Sequence, residues 1–300
     1  MAHCFGVDIG NSGLRVAALD VSQSALGHML RINWRPASAE FVRRCDQQTS
    51  RYLPDDTQWT LRLSEFLERQ AVAPTTTDTR WLISSVRRDA LEVLQRYLRT
   101  ETGHQVTVVD HSQLPLAIAV EAPERVGIDR LLAALAATEI TTARPAIVVQ
   151  AGSAVTVDLL SSAPATLSSS AATALTVAKR SPQQLLGTFE GGAIIPGVPM
   201  MLRLLGTGAD LLPQIDADDL LELPRLPGKN TEQAMVCGTA SALVGGVTHL
   251  ISRYRAAFGA DVPVILSGGD GMRLAQYISA PLIDRPHLVH HGLLKLAALV

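Results

Sequence analysis

Cys4-Phe5-Gly6-Val7-Asp8-Ile9-Gly10-Asn11-Ser12-Gly13-Leu14-Arg15-Val16-Ala17-Ala18-Leu19 is a strand, a turn and a second strand. Cys4 to Ile9 is short and apolar, with β-branched Val7 and Ile9. Gly10-Asn11-Ser12-Gly13 supplies residues that tolerate positive φ and make tight turns, and Leu14 to Leu19 resumes an apolar strand. The stretch predicts a β-hairpin with Asp8 beside its turn. The same design returns in the middle of the chain. Ala146 to Val149 reads as a strand, Gln150-Ala151-Gly152-Ser153 as the turn and Val155 to Leu160 as the returning strand. Aligned on the turns, Asp8 matches Gln150, Gly10 matches Gly152, and Ser12 matches Ala154 or, with a slip of one residue, Ser153.

Each half also carries a later strand that feeds a helix. In the first half these are Trp81 to Ser85 and Arg88 to Arg99. In the second they are Val262 to Ser267, the turn Gly268-Gly269-Asp270-Gly271, and Met272 to Ile278. The repeated order predicts two similar α/β lobes with a cleft between them. Residues 1–125 form the expected N-terminal lobe and residues 126–300 the C-terminal lobe. A helix over Asp129 to Ile140, with Leu131, Leu132 and Leu135 at helical spacing, joins them. Thr231 to Tyr254 and Gly292 to Leu299 read as further helices. Pro36 to Asp56, Pro74 to Thr79 and the Ser-, Ala- and Thr-rich tract Ser161 to Gln184 read as loops.

Composition narrows the function. The chain has 300 residues, 47% apolar and 18% charged, which suits a buried core and excludes a disordered chain. Aromatics are only 4%, unlike a Tyr- and Trp-rich binding surface. The net charge of -2 gives no basic footprint for nucleic acid. Cys4, Cys45 and Cys237 form no Cys-x-x-Cys pattern, so a structural zinc site or disulfide framework is not expected. No uninterrupted apolar run reaches the roughly 20 residues of a bilayer span, and no basic-then-apolar leader opens the sequence. A cytoplasmic protein without membrane partners is expected.

Several short motifs carry chemistry, each beside a plainer reading. Small residues at the Gly10-Asn11-Ser12 turn let backbone N–H groups approach phosphate oxygens, with Asp8 placed for magnesium and Arg15 for anionic charge. An ordinary hairpin has the same residues. In Gly127-Ile128-Asp129-Arg130 a carboxylate at a helix start can serve as base, and Arg130 can grip an anion bidentately. Asp is also a favoured helix N-cap. Gly228-Lys229-Asn230-Thr231 reads as a helix cap with Thr231 as the capping residue and Glu232 in the first turn. Ser267-Gly268-Gly269-Asp270-Gly271 can take adenosine or phosphate on bare backbone, or is simply a strand-to-helix turn. His290-His291 reads as surface or packing, because adjacent residues diverge in direction.

The motifs occur in one order along nearly the whole chain. Asp8 to Ser12, Ile83-Ser84-Ser85-Val86, Pro123 to Arg130, Ala151 to Asp158, Gly191 to Gly197, Gly228 to Thr231 and Ser267 to Asp270 together resemble the type III pantothenate kinases. The resemblance implies an actin-like fold of two ribonuclease-H-like lobes, commonly a homodimer, and ATP-dependent phosphorylation of pantothenate to 4′-phosphopantothenate, the first step toward coenzyme A. It implies that Asp8, Gly10, Asn11, Ser12 and Arg15 form the ATP phosphate loop with magnesium near Asp8. It implies that Gly152, Ser153, Gly268 and Gly269 meet the nucleotide, and that Gly127, Ile128, Asp129 and Arg130 contact pantothenate with Asp129 as proton acceptor. Thr231 would contact pantothenate across the dimer. Family members usually carry Asp, associated with potassium or ammonium, where this chain has Gln150, and Thr where it has Ser153. Ser161 to Gln184 resembles an insertion, and Val120 stands where many members have an aromatic residue. Two other functions remain open on sequence: a catalytically impaired nucleotide-binding regulator, and an actin-like-fold kinase for another small alcohol.

Overall fold

The computed structural model describes residues 3–34, 56–70, 72, 78–163, 184–215 and 226–299. Most of the loops expected at Pro36 to Asp56, Pro74 to Thr79 and Ser161 to Gln184 therefore lie outside the described residues. The chain divides into two compact units. One comprises residues 1–110, 127–129 and 289–300, and the other residues 111–126 and 130–288.

The first unit is built on a five-stranded sheet in the order β3-β2-β1-β4-β5. Its strands are β1 (Cys4–Ile9), β2 (Gly13–Asp20), β3 (Ala25–Asn33), β4 (Arg80–Ser85) and β5 (Gln105–Val108). β1 pairs antiparallel with β2 and parallel with β4, so it is central and buried from Phe5 to Ile9. That position explains its near-continuous apolar run. Helices α1 (Asp56–Arg69) and α2 (Arg88–Tyr97) bring Trp59, Leu63, Phe66 and Leu94 onto the core with Phe5 and Trp81. The Phe5 and Trp81 rings stack at 4.8 Å. α2 ends two residues before the expected Arg99, and a wider turn over Leu98–Thr102 leads to Gly103 at φ +66°.

The second unit repeats the plan. Its sheet runs β11-β10-β7-β8-β9-β6. The strands are β6 (Ala117–Ile118), β7 (Ala146–Ala151), β8 (Ala154–Ser161), β9 (Thr188–Pro196), β10 (Val264–Ser267) and β11 (Leu282–Asp284). β7 pairs antiparallel with β8 and parallel with β10, as β1 does with β2 and β4. The expected α/β class of two ribonuclease-H-like lobes is present in both sheets. The register also settles the alignment slip. Asp8 pairs with Arg15 and Ser84, and Gln150 pairs with Thr156 and Ser267. Ser12 stands two residues before Leu14, which closes the first ladder, and Ser153 stands two before Val155, which closes the second. The second turn is one residue shorter, so Ser12 matches Ser153 when counted from the returning strand.

Helix α3 (Ile128–Ile140) is buried without interruption from Leu131 to Ala137, as an Ala- and Leu-rich helix must be when it is apolar all round. α4 (Val198–Gly208) and α5 (Thr231–Phe258) pack on the second sheet, with Leu202, Met235, Leu243, Val247 and Ile251 in the core. By length and composition α5 could cross a membrane. In this fold one face of it packs into the core of the second unit. α6 covers only Gly271–Ala275, shorter than the expected Met272 to Ile278, and α7 (Leu288–Leu299) begins before the expected Gly292.

Candidate active site

Asp8 is the penultimate residue of β1 and only 8% exposed. Burial pushes its carboxyl up to about 6. The Arg15 guanidinium, 3.6 Å away across the hairpin, opposes that shift, and the negative charge of Asp129 adds to it. Asp8 thus lies within electrostatic reach of a second carboxylate as well as of Arg15, an arrangement that favours a further cation. Among the described residues no three His, Cys, Asp or Glu side chains form a metal cluster. Magnesium fits such a place better than zinc or calcium, because it keeps most of its waters and takes one or two carboxylates plus phosphate oxygens. His290, on α7 and 1% exposed, holds the same strand by donating from Nε2 to the Arg15 carbonyl at 3.3 Å.

The turn after β1 is fastened from several sides. The Gly10 N–H donates to the Gly13 carbonyl at 2.9 Å, so it closes the hairpin and is not a spare donor for phosphate. The Trp34 indole N–H donates to the Gly10 carbonyl at 3.0 Å, and the Trp34 N–H to the Ser12 carbonyl at 2.9 Å. The Arg87 guanidinium lies over the Trp34 ring at 5.5 Å and is itself forked on Asp89. A Cβ at Gly13 would stand 2.3 Å from the Ile32 carbonyl oxygen, so only glycine fits there. Asn11 and Ser12 remain at the apex. Sequence reasoning missed Trp34. A lone tryptophan ending an edge strand was the available signal.

α3 starts at Ile128, so Gly127 takes the cap position and Asp129 lies inside the first turn, not at the N-cap. The negative charge of Asp129 faces the positive end of the helix dipole there. Arg130 is engaged within the protein. Its Nε donates to both carboxylate oxygens of Asp158, at 3.1 and 3.2 Å, and Nη2 makes a further bond to the same group. The guanidinium also lies over the Phe189 ring at 5.3 Å. The fork expected to grip an anion therefore already holds one belonging to the protein. Asp158 was missed as a site residue. A single carboxylate in the apolar run Val155 to Leu160 signals a buried partner but does not name it.

In the second unit Ser153 and Gly152 lie in the β7–β8 turn. The Gly152 N–H donates to the Ala154 carbonyl at 3.2 Å, and the Gly197 N–H to the Ser153 carbonyl at 3.0 Å. Gly268 has φ +104°, and a Cβ on it would stand 2.0 Å from the Ala151 carbonyl oxygen. The Asp270 N–H donates to that oxygen at 3.1 Å, and the Gly271 N–H turns back to Gly268. The Gly268–Gly271 turn is thus closely packed, and the N–H groups of Asp270 and Gly271 serve the fold. Gln150 has a buried Nε2 without a hydrogen-bond partner, and its cross-strand neighbour Thr156 has a buried Oγ1 in the same state. Thr231 is not the cap of α5. Asn230 is, and its Oδ1 accepts from the Gln233 N–H at 2.8 Å. Both residue types cap well, and the chain's extended backbone at Asn230 decides between them.

Asp8, Gly10, Asn11, Ser12, Arg15, Gly127, Ile128 and Asp129 fall in the first unit. Arg130, Gln150, Gly152, Ser153, Thr231, Gly268 and Gly269 fall in the second.

Comparison with known proteins gives this constellation a family. The sequence profile of the type III pantothenate kinases matches residues 4–170 and 165–253. The type III pantothenate kinase of Rhodopirellula baltica is 30% identical over 306 residues, covering 97% of this chain and 97% of that one. That of Thermomicrobium roseum is 30% identical over 282 residues, covering 92% and 88%. Among solved structures, a putative 2-dehydro-3-deoxygalactonokinase from Sinorhizobium meliloti superposes with a TM-score of 0.51 at 11% identity, covering 99% of this chain and 96% of that one. That likeness speaks for the fold alone. With full-length relatives at this identity and a profile match over residues 4–253, the chain belongs to the type III pantothenate kinase family.

Proposed function

We propose that the protein transfers the γ-phosphoryl group of ATP to the 4′-hydroxyl of pantothenate, giving 4′-phosphopantothenate and ADP. Family membership across residues 4–253 carries this reading, because that span includes every candidate residue except Gly268 and Gly269. The 4′-oxygen attacks the γ-phosphorus while the bond to the ADP oxygen breaks, and the hydroxyl proton passes to a carboxylate of Asp129. The transition state of such transfers is loose, so Asp129 mainly orients the hydroxyl and takes its proton late. Asp8 would hold magnesium, which when bound neutralises phosphate charge. The apex of the Gly10–Ser12 turn and Ser153 would lie against the nucleotide. Arg15 keeps Asp8 in place and adds positive charge beside it.

Gln150 supports a departure from the family pattern. A buried Nε2 with no acceptor can donate to a phosphate oxygen where an aspartate would need potassium or ammonium. A homodimer in the cytoplasm, with Thr231 reaching pantothenate across the dimer, completes the proposal. The test is ADP release by purified protein with ATP and magnesium, using pantothenate against a panel of other small alcohols. Release dependent on pantothenate is the expected result. Equal release with an unrelated alcohol would reassign the substrate.

A further inference from the structure

We infer that Asp158 is a positioning residue for phosphoryl transfer, acting through Arg130 on the neighbouring Asp129. The inference rests on the kinase reading and concerns which groups set its geometry. Asp158 sits in the middle of β8 and is 1% exposed. Its partner Arg130 directly follows Asp129 in the first turn of α3, and its side chain is 13% exposed. The two are joined by a fork, with Nε at 3.1 and 3.2 Å from the two carboxylate oxygens. The Phe189 ring covers one face of the guanidinium.

The surroundings are shaped for this pair. A Cβ on Gly192 would stand 2.2 Å from Asp158 Oδ1, so the facing strand must carry glycine for the carboxylate to reach its place. Taking two charges out of water is costly, and an apolar pair of similar volume often serves stability as well or better. What the fork adds is direction. A planar guanidinium gripping a buried carboxylate by parallel bonds holds one orientation, where an apolar contact slides. The turn of helix that it fixes carries the proton acceptor. Arg130 is thus a strut for the first turn of α3.

The experiment compares Asp158→Asn, Asp158→Glu and the double variant Arg130→Met with Asp158→Leu. It measures kcat, KM for ATP and for pantothenate, and the thermal midpoint. Misplacement of a catalytic group by about 1 Å can cost roughly 10²-fold in rate. The expected result is a kcat loss of about ten- to a hundredfold in Asp158→Asn and in the folded double variant, with both KM values within about threefold of wild type. Asp158→Glu, which keeps the charge, should recover part of the loss. A double variant that folds and keeps wild-type kcat would overturn the inference and make the pair a packing element. So would a tenfold rise in KM for pantothenate with kcat intact, because Arg130 would then be a substrate ligand. Wild-type protein inactive on pantothenate would instead refute the kinase reading itself.

Discussion

At Asp8 the fold holds a carboxylate where its charged form is disfavoured. Burial is the largest cause, and Asp129 adds to it against the opposing Arg15. Because the folded-state value of about 6 exceeds the ordinary 3.8, folding favours the protonated acid. That contribution is full below pH 3.8 and is lost as pH rises through about 6. The gap corresponds to about 3 kcal/mol. Asp8→Asn should therefore be more stable than wild type at pH 7.5, by up to about 3 kcal/mol, with the difference shrinking toward pH 5. Urea denaturation at the two pH values measures it, and a difference that ignores pH would show that Asp8 is not strained by ionisation. The same variant should lose turnover. Gln150 is the second residue with a distinct outcome. Wild-type turnover should change by less than about twofold between potassium chloride and a non-coordinating salt of equal ionic strength, and Gln150→Asp should become several-fold more dependent on potassium. Strong potassium activation of the wild type, unaltered in the variant, would mean that other oxygens hold the ion.

At the scale of elements, the two hairpins were legible because their signals are local. Short apolar strands and Gly-Asn-Ser or Gly-Ser turns act over a few residues, and Asp8 and Gln150 fall at equivalent ladder positions as aligned. What stayed hidden depends on partners distant in sequence. Arg130 and Asp158 are 28 residues apart, and Trp34 reaches back 24 residues to Gly10. No periodicity encodes such pairings. The start of α5 shows a third kind of miss, in which two adjacent good caps compete within one motif. That case gives a prediction. Asn230→Ala should lower stability by about 0.5–2 kcal/mol, the usual cost of losing a capping oxygen. Thr231→Ala, one position inside the helix, should leave the thermal midpoint close to wild type and change KM for pantothenate if Thr231 touches the substrate. Equal destabilisation by both would contradict the assignment of the cap.

At the scale of the whole molecule, the duplicated sheet carries different residues at equivalent positions of its two copies. Equivalent positions hold Asp8 between Ser84 and Arg15 in one unit, and Gln150 between Ser267 and Thr156 in the other. The first is suited to a metal and its phosphates, the second to neutral hydrogen bonding. Fold and family could be read from motif order along the chain, while the tie between Arg130 and Asp158 needed three dimensions. The central claim is that Asp129 accepts the proton of pantothenate's 4′-hydroxyl during transfer from ATP. The most direct test is turnover of Asp129→Asn and wild type with pantothenate, ATP and magnesium, with the product's phosphorylation position fixed by phosphorus NMR. The expected result is phosphate on the 4′-oxygen with wild type, and a loss of about 10²–10⁴-fold in kcat for a variant that still folds and binds ATP. Turnover within a few-fold of wild type would contradict the claim and leave Asp129 as a helix-terminal carboxylate without a part in the chemistry.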